Sequence, residues 1–152
     1  MQESKPKLKP APIVLKISRL DKTMKMPAFA HADDGGFDLY AAKAITIKPG
    51  ERIQIPTGVR MEIPPKYTAF IWDKGSLSHK YGLKTFGGVI DAGYRGEVMV
   101  GMMNLGAEQY TFEKNHKVAQ MCIQKREDVD IVEVEELSES ERGEGAFGST
   151  GK

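Results

Sequence analysis

Ala44-Ile45-Thr46-Ile47-Lys48-Pro49-Gly50-Glu51-Arg52-Ile53-Gln54-Ile55-Pro56-Thr57-Gly58-Val59-Arg60-Met61-Glu62-Ile63-Pro64-Pro65 contains three runs in which every second side chain is apolar. That period of two puts alternate side chains on opposite faces of a pleated strand, so each run reads as a half-buried β-strand. Pro49-Gly50 turns the chain after the first run. Pro56-Thr57-Gly58 breaks the second from the third, and Pro64-Pro65 stops the third. Proline cannot donate to a ladder, and these prolines stand where a strand should end.

Outward from this stretch the pattern continues. Ile13–Ile17, Tyr67–Trp72, Glu97–Asn104, Gln109–Phe112, Val118–Gln124 and Val129–Val134 are further short apolar or alternating runs between turn signals. Many short strands at this spacing predict an all-β chain, a distorted jelly roll or β-sandwich. One short helix is expected over Ser76–Tyr81, with Ser76 as its cap and Gly82 ending it in a left-handed conformation.

The chain has 152 residues, a length that suits a single core. There is no internal repeat. Three parts are expected: a disordered N-terminal arm over 1–12, a β domain over 13–137 and a flexible C-terminal arm over 138–152. The first arm is rich in Lys and Pro. The last holds Arg142, Phe147, Ser149 and Thr150 among glycines, and a spacer needs neither an arginine nor an aromatic.

Net charge is +1, from 22 basic and 21 acidic side chains. Stable nucleic-acid binding through a positive field is not expected. An anionic ligand must therefore be held by local geometry. The single cysteine, Cys122, allows no intramolecular disulfide and no cysteine-built zinc site, and it reads as a core residue in a reducing compartment. No apolar run approaches the roughly 20 residues of a membrane span, and the start has no secretory pattern. His31, His79 and His116 have no metal-ligand spacing, and the last two read as surface residues.

Four clusters carry chemistry. Gly87-Gly88-Val89-Ile90-Asp91-Ala92-Gly93-Tyr94-Arg95-Gly96 is the densest: a carboxylate at a strand end, an aromatic with a polar tip, and glycines that let backbone approach a planar ligand. A plain hairpin with a turn aspartate fits the same residues. Asp73-Lys74-Gly75-Ser76-Leu77-Ser78 is either a small anion site or a plain helix start. Asp33-Asp34-Gly35-Gly36-Phe37-Asp38 offers three carboxylates for a divalent cation, or a solvated turn followed by a strand. Gly143-x-Gly145-x-x-Gly148 matches the dinucleotide fingerprint as a string, but the chain ends four residues later, where that fold needs a helix. A phosphate-gripping flap and a loose tail both remain open there.

Taken together the clusters resemble the trimeric dUTPase family, in that family's order, from about Ala30 to Lys152. The five motifs are Gly36-Phe37-Asp38-Leu39-Tyr40-Ala41, Lys74-Gly75-Ser76-Leu77, Gly88-Val89-Ile90-Asp91-Ala92-Gly93-Tyr94-Arg95-Gly96, Asn115-His116-Lys117-Val118-Ala119-Gln120, and Arg142 through Gly151. The resemblance implies a dUTPase-like β-clip that hydrolyses dUTP to dUMP and pyrophosphate. Such an enzyme limits uracil incorporation into DNA and supplies dUMP for dTMP synthesis.

By the same resemblance Asp91 is the general base for a water attacking the α-phosphorus. Tyr94 lies under the deoxyribose and leaves no space for a 2′-hydroxyl. The backbones of Gly88 and Met99 hold the uracil edge, and Phe147 stacks on it. Lys74, Gly75, Ser76 and Gln120 contact the phosphate chain, while Arg142, Gly148, Ser149 and Thr150 grip its end. Asp38 helps hold Mg2+ through water. The family builds each site from three subunits, so a homotrimer is implied, in the cytoplasm or, for a viral protein, the host cytoplasm. Two motifs depart from the usual pattern. Lys74-Gly75 replaces Arg-Ser, and lysine cannot fork onto two oxygens. Asn115-His116-Lys117 replaces Gly-acid-Arg, and Asn115 tolerates a left-handed turn. Two alternatives stay open: a dCTP deaminase or bifunctional enzyme using Glu97, and a trimeric binding or regulatory protein with a vestigial site that engages partners through the basic arm.

Overall fold

The structure, a computed structural model, describes residues 12–146. These form β1 (Lys16–Arg19), β2 (Phe37–Tyr40), β3 (Ile45–Ile47), β4 (Arg52–Glu62), β5 (Tyr67–Trp72), α1 (Gly75–Tyr81), β6 (Leu83–Phe86), β7 (Val89–Ile90), β8 (Glu97–Asn104), β9 (Tyr110–Phe112) and β10 (Lys117–Lys125). They make an antiparallel sheet β1-β4-β8-β6, a second sheet β2-β10-β5-β7 and the pair β3-β9. The expected all-β architecture with one short helix is what forms. No described helix is long and apolar enough to cross a membrane.

The alternation read from the sequence is what builds the core. On β8, Val98, Val100, Met102 and Asn104 are buried while their neighbours are half-exposed. They meet Ile55, Val59 and Met61 of β4, Leu39 of β2, Phe112 of β9 and Val118 and Met121 of β10 in one cluster. Asn104 is a buried polar residue within it. Its Nδ2 donates to the carbonyls of Ile47 and Glu108, and its Oδ1 accepts from the Gly106 N–H, so no bonding capacity is stranded.

Four expectations change. Pro56-Thr57-Gly58 does not break the chain into two strands: β4 runs through it, with a register shift against β8 between Pro56 and Arg60. Proline's missing donor is tolerated at such an irregularity. Gly58 takes φ 68° there, its N–H donates to Glu97 Oε1 at 2.8 Å, and the Thr57 hydroxyl donates to the Val98 carbonyl at 2.6 Å. The first strand lies at Lys16–Arg19, overlapping only the end of Ile13–Ile17, because its register is fixed by Lys16 opposite Glu62 and Arg19 opposite Val59. Val129–Val134 is not a strand. No sheet edge in the described chain takes it up, and Val129, Ile131, Val132 and Val134 stand in solvent, Ile131 at 96% exposure. An unpaired strand has nothing to fix its backbone. Last, Ser76 does not cap α1. Lys74 occupies the cap position with no side-chain bond, while Gly82 ends the helix at φ 69° as expected.

Candidate active site

Strand register brings two of the sequence motifs together. β10 lies between β2 and β5, with Gln120 opposite both Asp38 and Trp72. Cross-strand partners share a face, so Asp38, Gln120 and Trp72 project from the same side of the sheet. A bulge between Lys117 and Ala119 shifts the register by one residue. Lys117, opposite Tyr40, therefore joins Gln120 on that face although the two are three residues apart in sequence.

Asp38 is the hub. It is 3% exposed. Lys74 Nζ donates to Oδ1 at 2.6 Å, and Lys117 Nζ forms an ion pair with Oδ2, also at 2.6 Å. The Lys117 ammonium is the partner of Oδ2 in the structure, which leaves that buried oxygen a lone pair. Burial pushes the Asp38 carboxyl up, but the Lys117 and Lys74 ammonium groups outweigh it and hold the carboxyl below its usual range. The same contact raises Lys117. One carboxylate between two ammonium groups leaves a net charge of +1, which suits an anion better than a cation.

These pairs make stability depend on pH. Asp38 is depressed in the folded state, so its contribution is present above the unfolded carboxyl pKa, near 4, and is lost as pH falls through the folded value. Asp38→Asn is expected to show a shallower loss of melting temperature below about pH 4 than the unsubstituted chain. At neutral pH it should be less stable by on the order of 2 kcal/mol, because Lys74 is left partly buried without a counter-charge. Parallel acid limbs in the two proteins, measured by thermal melts from pH 2 to 7, would contradict this role.

The segment after β5 is fixed by three anchors. Lys74 is held on Asp38. Gln120 Nε2 donates to the Asp73 carbonyl at 2.8 Å. The Asp73 carboxylate accepts from the N–H and hydroxyl of Thr85 and from Lys84 Nζ. Ser76 follows on α1, exposed. Lys74, Ser76, Leu77, Tyr110, Asn115, His116 and Lys117 line a cleft of about 340 Å³. Its far wall is the turn before β10. Asn115 adopts φ 66°, the left-handed conformation expected of it, and its N–H donates to the Ala41 carbonyl at 2.8 Å. A larger hollow, about 380 Å³, lies among Ile13, Ile17, Phe29, Phe37 and Ile123 and shares no residue with the cleft. Its apolar walls do not suit a phosphate.

The third motif forms a separate group. Gly88 packs where only glycine fits: an added Cβ would lie 2.5 Å from the Ile71 carbonyl oxygen, which sits beside the Ile71 N–H that Gly88 O accepts at 2.8 Å. Asp91 follows β7 and is exposed. Its carbonyl accepts the Tyr94 N–H, while Arg95 donates to the Ala92 and Tyr94 carbonyls, so the turn is braced on itself. The Tyr94 hydroxyl donates to the Glu97 carbonyl at 2.9 Å, and the ring lies across Gly96, where a Cβ would collide with it. Met99 is on the half-exposed face of β8.

One chain does not bring the two groups together. Ile90, next to Asp91, lies opposite Ala69, whereas Gln120 lies opposite Trp72. Three residues along β5 and two strand spacings across it put the backbones roughly 14 Å apart. Arg142 belongs to a third place. It closes a local turn, its Nε donating to the Gly145 carbonyl at 2.7 Å. Phe147, Gly148, Ser149 and Thr150 lie outside the described residues. Sequence reasoning quoted Lys117 and Asp73 within the motifs but gave neither a role. Lys117 was visible as a basic residue three before Gln120, but only the bulge and the Asp38 pairing reveal its use.

For a divalent cation, Asp38 fits in one way. Both its oxygens face ammonium groups, so direct ligation is unsuitable, but Oδ2 has a lone pair to offer a metal-bound water. No cluster of three or more metal-ligating side chains occurs among the described residues.

The dUTPase family model matches residues 22–151. The deoxyuridine 5'-triphosphate nucleotidohydrolase of Clostridium kluyveri is 42% identical over 139 residues, 90% of this chain and 97% of that protein. That of Clostridium tetani is 43% identical over 140 residues, 91% and 97% of the two chains. The structure of the Staphylococcus bacteriophage 80alpha dUTPase with dUpNHpp superposes at TM-score 0.85 with 29% identity, covering 91% of this chain and 99% of the other. The phage phi11 dUTPase, whose structure describes coordination of a structural Mg(II) ion, shares the fold at TM-score 0.76 and 24% identity.

Proposed function

This chain belongs to the dUTPase family, and from that membership we propose that it hydrolyses dUTP to dUMP and pyrophosphate in a homotrimer whose sites are shared between subunits. The observation that carries the reading is the net-positive cluster of Asp38, Lys74, Lys117 and Gln120, whose two lysines line a cleft. It is a fixed phosphate platform, and it is formed by the residues of three family motifs.

In the proposed reaction a water oxygen attacks the α-phosphorus and its proton passes to the Asp91 carboxylate. The bond from the α-phosphorus to the bridging oxygen breaks, and pyrophosphate leaves. Lys74, Ser76 and Gln120 hold the phosphate chain, so that positioning and charge neutralisation lower the barrier. Mg2+ bound with the substrate would neutralise phosphate charge, with Asp38 Oδ2 accepting from one of its waters. The Tyr94 ring, pinned over Gly96 by its bond to Glu97, supplies a rigid floor for the deoxyribose. Gly88 and Met99 backbone groups read the uracil edge. Cytosine presents a donor where uracil presents an acceptor, which leaves a buried group unpaired.

The trimer is supported by the separation of Asp91 from the phosphate platform, since a second copy can supply the missing half. The sheet face next to Gln120 carries Trp72 and Val89, exposed at 52% and 62%, an apolar surface suited to burial by another copy. A deaminase acting on dCTP is disfavoured because Glu97, the glutamate available to it, already accepts the Gly58 N–H.

Pyrophosphate release from dUTP, UTP, dTTP and dCTP with magnesium tests the reading. Turnover of dUTP is expected to exceed each of the others by at least about 100-fold in kcat/KM. Ammonia from dCTP would instead favour the deaminase. No release from any of the four would leave a binding protein.

A further inference from the structure

We propose that Asp73 is a positioning residue, whose carboxylate clamps the segment Lys74–Ser76 to β6 and so sets where that segment meets the substrate's β- and γ-phosphates. The proposal rests on the dUTP reading above. Asp73 directly follows β5, at the end of one four-stranded sheet, while Lys84 and Thr85 belong to β6, the edge of the other. Oδ1 accepts from both the Thr85 N–H and the Thr85 hydroxyl at 2.7 Å, and Oδ2 accepts from Lys84 Nζ at 2.6 Å. Thr85 is 8% exposed, so its two bonds are partly shielded from water, while the Lys84 pair lies at the surface. Three bonds from one side chain thus tie the two sheets together next to Lys74, which lines the cleft.

The clamp stands where the phosphate-contacting segment is otherwise weakest. Gly75 has no side chain, and a Cβ built on it would touch nothing within 4 Å. Helix α1 begins without a side-chain cap. A glycine in such open surroundings leaves its backbone free to move unless a neighbour is held. Asp73 is that neighbour. Its carbonyl is also fixed by Gln120, so the residue is restrained from both sides. With the carboxylate gone, Lys74 stays on Asp38, but the path of Gly75 and Ser76 is no longer set from β6. Small misplacements of such groups are costly to phosphate binding.

The test compares two ligands on the full-length chain by calorimetry: dUpNHpp with magnesium, which carries all three phosphates, and dUMP, which lacks the outer two. Asp73→Ala is expected to weaken dUpNHpp by about tenfold and to change dUMP by less than about twofold. A merely structural role would weaken both alike. Thr85→Val, which removes one bond and keeps the Lys84 pair, is expected to weaken dUpNHpp alone by about threefold. It gives the same reading should Asp73→Ala not fold. Equal losses for the two ligands, or none for dUpNHpp, overturn the clamp. An unsubstituted chain that binds neither ligand ends the dUTP reading itself, and the clamp with it.

Discussion

Asp91→Asn is expected to lower kcat for dUTP by at least about 1000-fold while leaving the affinity for dUpNHpp within a few fold of the unsubstituted chain. The substitution exchanges a carboxylate for an amide of nearly the same shape, and an amide is not a base. The turn around it should survive. The Asp91 contact that shapes the turn is its backbone carbonyl, which accepts the Tyr94 N–H, and Arg95 braces the remainder through the Ala92 and Tyr94 carbonyls. Neither depends on the side chain. Single-turnover pyrophosphate release and calorimetry with dUpNHpp separate chemistry from binding. Turnover within tenfold of normal would sink the assignment of Asp91 as the base.

The second large effect is expected from removing Arg142–Lys152. Arg142, Phe147, Ser149 and Thr150 all fall in that stretch, and the reading gives them the end of the phosphate chain and the outer face of uracil. Loss of that grip and of the water exclusion that comes with closure should cut kcat/KM by at least about 100-fold. The fold should be indifferent. Between Ser140 and Gly145 the bonds are local: Gly143 and Gly145 N–H groups donate to Ser140 and Arg142 carbonyls, and among the described residues Arg142 donates to Gly145. The truncated chain is therefore expected to melt within a few degrees of the full one and to keep its oligomeric state. Light scattering and thermal melts read those two properties. Unchanged kinetics in the truncated chain would refute a closing arm.

Much of the fold was legible because period-two alternation is a direct consequence of strand geometry. Glu97–Asn104 and Tyr67–Trp72 form as strands with the boundaries read from sequence. The failures came where a strand's fate depends on its neighbours. Pro56-Thr57-Gly58 looks like a break, yet β8 and Glu97 hold it as an irregularity in one long strand. Val129–Val134 looks like a strand, yet pairing decides whether an apolar run becomes one, and no described strand pairs with it. The site was legible as a set of motifs, since Asp38, Lys74 and Gln120 are all nameable from sequence. Their arrangement was not. That Lys117 shares the Asp38 carboxylate follows from a one-residue bulge, and that Asp73 reaches β6 follows from how the two sheets meet.

The central place of β10 has a consequence for how the chain acquires its shape. Asp38 meets Gln120 across more than half of the chain, and β5 pairs with β10 across about a third of it. Contacts between such distant segments demand loop closure before any stabilisation is returned, so folding of this kind is slow relative to a helical chain of equal size. During synthesis, β2 and β5 emerge early and must wait for the last strand to lie between them. Until it does, Asp38 and its lysines have no common sheet to stand on. The centre of the second sheet and the Asp38–Lys117 pair thus appear in the same late step, and a nascent chain that stops short of β10 has neither.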